Sequence, residues 1–254
     1  MYQQITSFRP ITLEEMSDIR LMNRIDTKFV TTLPALRLLL SMAQEEYRIQ
    51  EINGDRNLPY HTVYYDTPER SLFYMHQTGH VNRQKVRIRE YESSNLQFLE
   101  VKTKNNHGRT KKKRIRIYTD DLVTTDIHEE EKEKFLSQRV NFNTSRLEPA
   151  MDNHFSRITL VNNAKTERLT IDTDMHFHNL RSGNDWHEES LVVIELKRDG
   201  LCPSPVLLIL NRLRVFPHGF SKYCMGAART DDTLQVNRFK PKLRDIQRII
   251  NTTR

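Results

Sequence analysis

Five segments of the chain alternate charged and apolar residues with a period of two. Because successive side chains of a β-strand point to opposite faces, each segment is predicted to be a strand with one ionic face and one apolar face. Between Arg83 and Tyr91, for example, Arg87 and Arg89 alternate with Val86 and Ile88. The charged members of the other four segments are Arg24, Asp26 and Lys28; Glu100, Lys102 and Lys104; Lys112, Arg114 and Arg116; and Glu195 and Lys197.

These charged faces are mostly basic, whereas a solvated sheet face usually mixes both signs. For any one strand the alternative is an ordinary sheet with a solvated polar face. For the whole set, the apolar faces need helices to cover them, and closure of the sheet would turn the basic faces into a lumen. Such a lumen would repel itself unless it held an anion. The net charge of +7 likewise indicates a polyanionic partner.

The remaining segments predict an α+β fold. With the five strands above, Tyr60 to Tyr65, Phe155 to Val161 and Leu169 to Phe177 give an antiparallel tunnel, a closed barrel of about eight strands with helices packed outside. The 254 residues show no linker or repeat, so residues 1–254 are predicted to form a single domain. Helices are predicted for Thr12 to Asn23, Leu33 to Ala43, Glu69 to Gln77, Asp126 to Gln138, Ser204 to Arg214, Ser221 to Arg229 and the tail from Phe239.

Two carboxylates lie on the basic faces, and each precedes a lysine by two residues. A carboxylate next to bound phosphate is repulsive unless a divalent cation bridges the two, and Mg²⁺ is usually held by one or two carboxylates together with phosphate oxygens. Cross-strand ion pairs with lysine are the alternative. Glu100 and Glu195 are therefore candidate metal ligands or candidate structural ion pairs.

Several other classes of function lack support in the sequence. The seven glycines are dispersed and form no phosphate-binding loop of the Walker type. The basic run from Lys111 to Arg114 continues into Ile115 and Ile117, which favours a strand over a nucleic-acid patch, and no nucleic-acid partner is expected. No apolar stretch approaches the roughly 20 residues that span a bilayer, and the N-terminus shows no signal peptide. A soluble, cytoplasmic protein is expected.

Eight short motifs occur in order along the chain, and together they resemble the VTC domain. This is the polyphosphate-polymerase domain of the vacuolar transporter chaperone family, among the triphosphate tunnel metalloenzymes related to CYTH proteins. The resemblance therefore implies a tunnel fold. The motifs are Arg24 to Phe29 (RIDTKF), Tyr64 to Thr67 (YYDT), Val86 to Arg89 (VRIR), Phe98 to Thr103 (FLEVKT), Lys112 to Arg114 (KKR), Arg157, Val193 to Lys197 (VIELK) and Phe220 to Tyr223 (FSKY).

The resemblance implies transfer of the γ-phosphate of ATP to a growing polyphosphate chain, with Mn²⁺ or Mg²⁺ as cofactor. ATP and polyphosphate would be the partners, and docking to a membrane partner protein is left open. Hydrolysis of triphosphate or polyphosphate, and binding without catalysis, remain alternatives. The expected site comprises catalytic Arg87, Arg89 and Lys102; phosphate-binding Lys28, Lys112, Arg157, Ser221 and Lys222; and metal-binding Glu195 and Glu100. Gly219 stands where polymerases of the family tend to carry another lysine.

Overall fold

The fold is described from a computed structural model, which covers residues 2–17, 19, 21, 24–105 and 110–252. Its strands are β1 (Arg9–Ile11), β2 (Arg24–Thr32), β3 (Tyr47–Gln50), β4 (Leu58–Asp66), β5 (Gln84–Tyr91), β6 (Leu96–Lys104), β7 (Thr110–Ile117), β8 (Glu148–Asn162), β9 (Glu167–Asn179), β10 (Asp185–His187) and β11 (Leu191–Asp199). Its helices are α1 (Tyr2–Thr6), α2 (Leu13–Ser17), α3 (Leu33–Ala43), α4 (Ser71–Gln77), α5 (Glu130–Ser137), α6 (Pro205–Arg212), α7 (Lys222–Thr230) and α8 (Lys240–Asn251).

Eight strands form one curled path in the order β2-β11-β9-β8-β4-β5-β6-β7, and each neighbouring pair is antiparallel. The predicted antiparallel sheet of about eight strands is therefore confirmed. Three short strands lie off this path: β10 pairs with β9, β3 pairs with β8, and β1 pairs in parallel with β3.

The expected closure of the barrel is not seen in the described part of the chain, where the hydrogen-bonded path ends at β2 and β7. The outer edge of β7 explains why pairing stops there. Residues Lys111, Lys112, Lys113 and Arg114 are all exposed on this strand. Consecutive like charges on an edge strand oppose the approach of another strand.

The apolar faces of the strands are covered by helices, as predicted. On α3, Leu36, Leu39, Leu40 and Ala43 are buried, and this spacing gives a helix one apolar stripe. That stripe and the apolar residues of α6 pack against the outer face of β2, β9 and β11. Phe135 and Leu136 of α5 cover the outer face of β5 and β6 in the same way.

The last two helices depart from the expected outside placement. Val30 and Val193 lie two residues from Lys28 and Glu195, so they share the ionic face of their strands. Both pack in one apolar cluster with residues of α7 and α8. Gly226 permits the close approach of α7, because a Cβ at this position would lie 2.7 Å from the ring of Phe177. The two helices therefore fill one end of the ionic side of the sheet.

Several helices and strands begin or end at residues other than those predicted from the sequence. The helix expected from Thr12 is short and ends at Ser17, while residues 18, 20, 22 and 23 lie outside the described residues. The helix expected from Asp126 begins at Glu130. β8 starts seven residues earlier than expected, at Glu148. Its first half contains Pro, Asp and Asn, which disfavour strands locally, and pairing with β4 overrides that preference.

Candidate functional site

The ionic faces of the strands line one cavity of about 1280 Å³. Among the described residues, sixteen Lys or Arg side chains line it against three carboxylates, those of Asp26, Asp172 and Glu195. An excess of this size, collected in one concave site, creates a strongly positive potential that attracts polyanions. The volume also exceeds the roughly 300–1,000 Å³ of ordinary ligand pockets. The cavity can therefore hold an extended, highly charged ligand.

The structure brings together nine of the ten site residues named from the sequence. Each lies on the wall of the cavity, although they come from β2, β5, β6, β7, β8, β11 and the start of α7. Glu100 is the exception, because its side chain is fully buried behind the wall. The nine residues are Lys28, Arg87, Arg89, Lys102, Lys112, Arg157, Glu195, Ser221 and Lys222.

Glu100 acts as a buried counter-charge for two basic residues. Its Oε2 accepts hydrogen bonds from Arg87 Nε at 2.9 Å and Nη2 at 2.5 Å, and its Oε1 accepts one from Lys112 at 2.8 Å. Burial opposes ionisation, but Arg87, Arg89 and Lys112 outweigh it and hold the pKa of Glu100 below its usual range. Both oxygens are occupied in this arrangement. Of the two glutamates expected to bind a metal, Glu195 is therefore the better candidate.

A second buried carboxylate was missed from the sequence. Asp172 is 5% exposed and accepts hydrogen bonds from Arg157 Nε at 2.6 Å and Nη2 at 2.8 Å. It also forms an ion pair with Lys222. Burial raises its pKa, and the two cations more than reverse that effect, so the net shift is downward. The alternation of residues along β9 could have identified Asp172 from the sequence. Arg168, Thr170 and Asp172 share the face opposite Leu169 and Ile171.

Two of the three cations expected to be catalytic, Arg89 and Lys102, form no salt bridge with a carboxylate in the part of the chain that is described, whereas Arg87 pairs with Glu100. Arg89 Nε donates to Thr62 Oγ1 at 3.1 Å, and its guanidinium lies 5.6 Å from the Tyr60 ring and 5.5 Å from the Phe155 ring. The Arg87 charge and burial lower the pKa of Lys102 well below its usual value. Cations held close together without counter-charges are poised to bind an anion.

The loop before α7 supplies a further set of donors. Lys28 Nζ donates to the Phe220 carbonyl at 2.9 Å, and Lys85 Nζ donates to Ser221 Oγ at 2.8 Å. Ser221 also caps α7, since its Oγ accepts a hydrogen bond from the Cys224 amide. The N-terminus of a helix carries a partial positive charge and is suited to anions. Lys222 stands at the first turn and extends this donor set into the cavity.

Glu195 is the cavity carboxylate with the weakest pairing. Its side chain is 24% exposed, and its ion pair with Lys197 is long, at 3.8 Å. Its cross-strand neighbours are Lys28 on β2 and Thr170 on β9. Burial opposes ionisation, but the charges of Lys197, Lys28 and Lys102 lower the pKa of Glu195 below its usual range. An ionised carboxylate with available lone pairs fits one ligand of a hard divalent cation.

A lysine from another element lies beside the glycine at position 219. A Cβ at Gly219 would lie 3.5 Å from the ammonium nitrogen of Lys242, which reaches the cavity from α8. A lysine from a different element thus occupies the space beside this position. Sequence reasoning missed Lys242, because a helix was predicted for the tail from Phe239 but nothing in the sequence placed that helix beside the cavity.

A curled antiparallel sheet around a cation-lined cavity defines the CYTH-like triphosphate tunnel fold. The fold is shared with a putative adenylyl cyclase from Hippeastrum, HpAC1, described as having a dominant triphosphatase activity. That match has a TM-score of 0.51 at 14% identity and covers 84% of this chain and 98% of that chain. The chain itself belongs to the VTC domain family, whose model matches residues 23–230.

Other similar structures are more distant. A putative adenylate cyclase from Vibrio parahaemolyticus aligns with a TM-score of 0.47 at 13% identity, covering 82% of this chain and 99% of that chain. The PH1819 protein from Pyrococcus horikoshii aligns with a TM-score of 0.43 at 13% identity, covering 81% and 98%. A search of curated proteins gives no significant match. Among the described residues, no helix has the length and apolar character needed to cross a membrane.

Proposed function

We propose that the chain is an inorganic polyphosphate polymerase, which transfers the γ-phosphate of ATP to a growing polyphosphate chain and releases ADP. The observation that carries the proposal is the large cavity in which cations far outnumber carboxylates. Phosphoryl transfer depends mainly on positioning and charge neutralisation, with little covalent chemistry for the protein to perform. Membership of the VTC domain family supports the same activity.

The arrangement of the cations suggests which phosphate groups each of them binds. Arg87 is fixed by Glu100, and Arg89 lies beside it on β5 without a carboxylate partner. Guanidinium groups can bind phosphate oxygens in a bidentate manner, so we assign these two residues to the transferring phosphate and its neighbour. Lys102 would neutralise charge on the same phosphates. Lys28 and Lys222, near the N-terminus of α7, would bind the nucleotide or acceptor side.

The ionisation state of the acceptor supports transfer to phosphate. A water nucleophile needs a general base, whereas a terminal phosphate of the acceptor is already ionised at neutral pH, with its second pKa near about 6. The pKa values of Glu195 and Asp172 are both lowered, which makes the two groups poor proton acceptors. In the reaction, the acceptor oxygen forms the new P–O bond while the bond to the β-phosphate of ATP breaks.

The cavity fits a divalent cation that arrives together with phosphate. Glu195 would supply one carboxylate ligand, and phosphate oxygens would supply others, which is how Mg²⁺ is commonly held. Glu195 would hold a Mn²⁺ or Mg²⁺ ion whose charge neutralises part of the charge on the phosphates. Glu100 would act on this site through Arg87, by fixing the position of that guanidinium.

The decisive experiment incubates the purified chain with ATP and Mn²⁺ and analyses the products. Long phosphate chains formed together with ADP would support the proposal. Arg89→Ala should lower this rate by about a hundredfold or more, since one preorganised donor to a developing charge contributes about 2.7–4 kcal/mol. Lys113→Ala is the matched control, because alternation places Lys113 on the opposite face of β7 from Lys112. Free phosphate without chains, or no turnover, would contradict the proposal.

Hydrolysis of triphosphate is the second candidate, and the likeness to HpAC1, described as having a dominant triphosphatase activity, favours it. In that reaction water would replace the phosphate acceptor in the same cavity. The product analysis separates the two activities, because hydrolysis releases free phosphate with time and builds no chain. Tight binding of tripolyphosphate with neither product would indicate a binding module.

A further inference from the structure

Four histidines form a row across the sheet on the face opposite the phosphate cavity. His61 on β4 stands opposite His154 on β8, His154 opposite His176 on β9, and His176 opposite His187 on β10. The rings stack in two pairs, with centroids 4.0 Å apart for His61 and His154 and 3.6 Å apart for His176 and His187. These residues are widely separated in sequence, so only strand pairing brings them together.

The pair on β9 and β10 converges on one carboxylate oxygen. His176 Nε2 and His187 Nε2 each lie 3.1 Å from Asp174 Oδ1. All three side chains are open to solvent, with exposed fractions of 50%, 33% and 62% for His176, His187 and Asp174. The neighbouring Phe177 is buried against α7 on the other side of the sheet, which places His176 away from the phosphate cavity.

These distances match the coordination sphere of a small transition-metal ion. Zn²⁺ binds imidazole nitrogen and carboxylate oxygen at about 2.0–2.1 Å, so tetrahedral ligand atoms lie about 3.3–3.4 Å apart. The two nitrogen–oxygen separations of 3.1 Å are close to that value, and binding would rotate the two stacked, solvent-exposed rings so that both Nε2 lone pairs point at the ion. A cavity of about 320 Å³ lined by Asp174, His187 and Glu189 adjoins the cluster. It leaves room for water or a further carboxylate as fourth ligand.

We propose that Asp174, His176 and His187 bind one divalent ion of the zinc class at a site separate from the phosphate cavity. Imidazole nitrogen favours Zn²⁺, Cu²⁺ and Ni²⁺, whereas the carboxylate and phosphate oxygens of the cavity favour Mg²⁺ and Mn²⁺. The two sites therefore select different ions. Because β10 has three residues and pairs only with β9 among the described strands, the ion would fasten this short strand to the sheet.

The other half of the histidine row is less suited to a metal. His61 Nε2 lies 2.6 Å from Asp152 Oδ1, which is a direct hydrogen bond and is too short for two ligands of one ion. His154 Nε2 is 3.6 Å from Asp152 Oδ2. The side chains of His61 and Asp152 are also only 14% and 16% exposed. An ion would need to separate this partly buried hydrogen-bonded pair before it could bind there.

The test is calorimetric titration of the full chain with Zn²⁺ alone in phosphate-free buffer after treatment with a chelator. We expect one saturable site and, with Co²⁺ as probe, the visible absorption of tetrahedral nitrogen and oxygen coordination. His176→Ala and His187→Ala should each weaken binding by at least about tenfold, the lower bound for loss of even a supporting group at a metal site. His176→Gln preserves a polar contact with Asp174 and should weaken binding equally.

Three control variants test whether Zn²⁺ binding depends specifically on Asp174, His176 and His187. His178→Ala removes a histidine on the same face that pairs with Asp185, His61→Ala tests the other half of the row, and Glu195→Gln tests the phosphate cavity. All three should retain the site. Circular dichroism of each variant establishes that it is folded. Three outcomes would overturn the proposal. The first is Zn²⁺ binding that survives in folded His176→Gln and His187→Ala, and the second is Zn²⁺ binding that depends on His61 or Glu195. The third is the absence of a saturable site.

Discussion

Replacing Asp172 by Asn tests whether the cavity is built around self-repelling cations. The substitution keeps the size of the side chain and removes its charge. In the native protein this carboxylate binds Arg157 through two hydrogen bonds and forms an ion pair with Lys222, and all three side chains are at most 15% exposed. Removing one partner of a buried ion pair leaves an uncompensated charge, which costs about 3–5 kcal/mol.

The lower end of that range applies here because Lys222 can lose its proton. Burial lowers the pKa of the Lys222 ammonium to about 7, and the Asp172 charge opposes this shift. Without Asp172 the pKa falls further, so Lys222 is neutral at moderately alkaline pH and Arg157 alone remains charged. A loss of about 3 kcal/mol corresponds to a fall in Tm of about 6–12 °C for a chain of this size. The fall should be larger at acidic than at alkaline pH.

Thermal unfolding measured with and without tripolyphosphate checks this prediction. The matched control is Asp26→Asn, which breaks a half-exposed ion pair with Arg24 on the same wall and should cost at most about 1 kcal/mol. Because a bound phosphate replaces the missing counter-charge, tripolyphosphate should raise the Tm of the Asp172 variant more than that of the native chain. Equal Tm values for the two variants, or equal responses to tripolyphosphate, would refute the reasoning.

Three further predictions concern metal, pH and the helical lysine. Glu195→Gln should abolish Mn²⁺-dependent turnover while leaving tripolyphosphate binding largely intact; full turnover in this variant would exclude the metal role. Burial lowers the pKa of Lys222 to about 7 and of Lys85 to about 8, and a bound anion must raise both. Calorimetry in buffers of different ionisation enthalpy should therefore show proton uptake when tripolyphosphate binds. The affinity for tripolyphosphate should also fall as pH rises through these two pKa values. An affinity that does not change with pH would contradict this prediction. Lys242→Ala should weaken tripolyphosphate binding by up to about fivefold, whereas Lys240→Ala on the same helix should not; equal effects would remove Lys242 from the site.

The wall of the cavity could be predicted from the sequence because it depends on a local property. The pleat of a strand places residues i and i+2 on one face, so the face that carries Arg87 and Arg89 follows directly from their spacing. Helix α3 was predicted with its observed bounds for the same kind of reason, since Pro34 and the apolar stripe lie within one segment. The cavity residues placed by this alternation are Lys28, Arg87, Arg89, Lys102, Lys112 and Glu195, whereas Arg157, Ser221 and Lys222 were named from the family resemblance.

The course of the last two helices could not be predicted in this way. The apolar residues of α7 indicate only that one side of the helix is buried. Whether they pack on the outer or the ionic face depends on Val30 and Val193, where the ionic faces become apolar. The position of Lys242 beside Gly219 depends on the same packing. Such placement is decided by contacts between segments that are distant in the chain.

The two glutamates show what the sequence alone could not predict, namely which charged groups surround each carboxylate. Glu100 and Glu195 occupy the same local pattern, each two residues before a lysine on a basic strand face, so the sequence determined that both belong to the ionic side of the sheet. Their different environments come from strand order. Glu100 stands between Arg87 and Arg114, while Glu195 stands between Lys28 and Thr170. Side-chain alternation is fixed within a strand, but the neighbours that pair a carboxylate or leave it available are fixed only when the strands assemble.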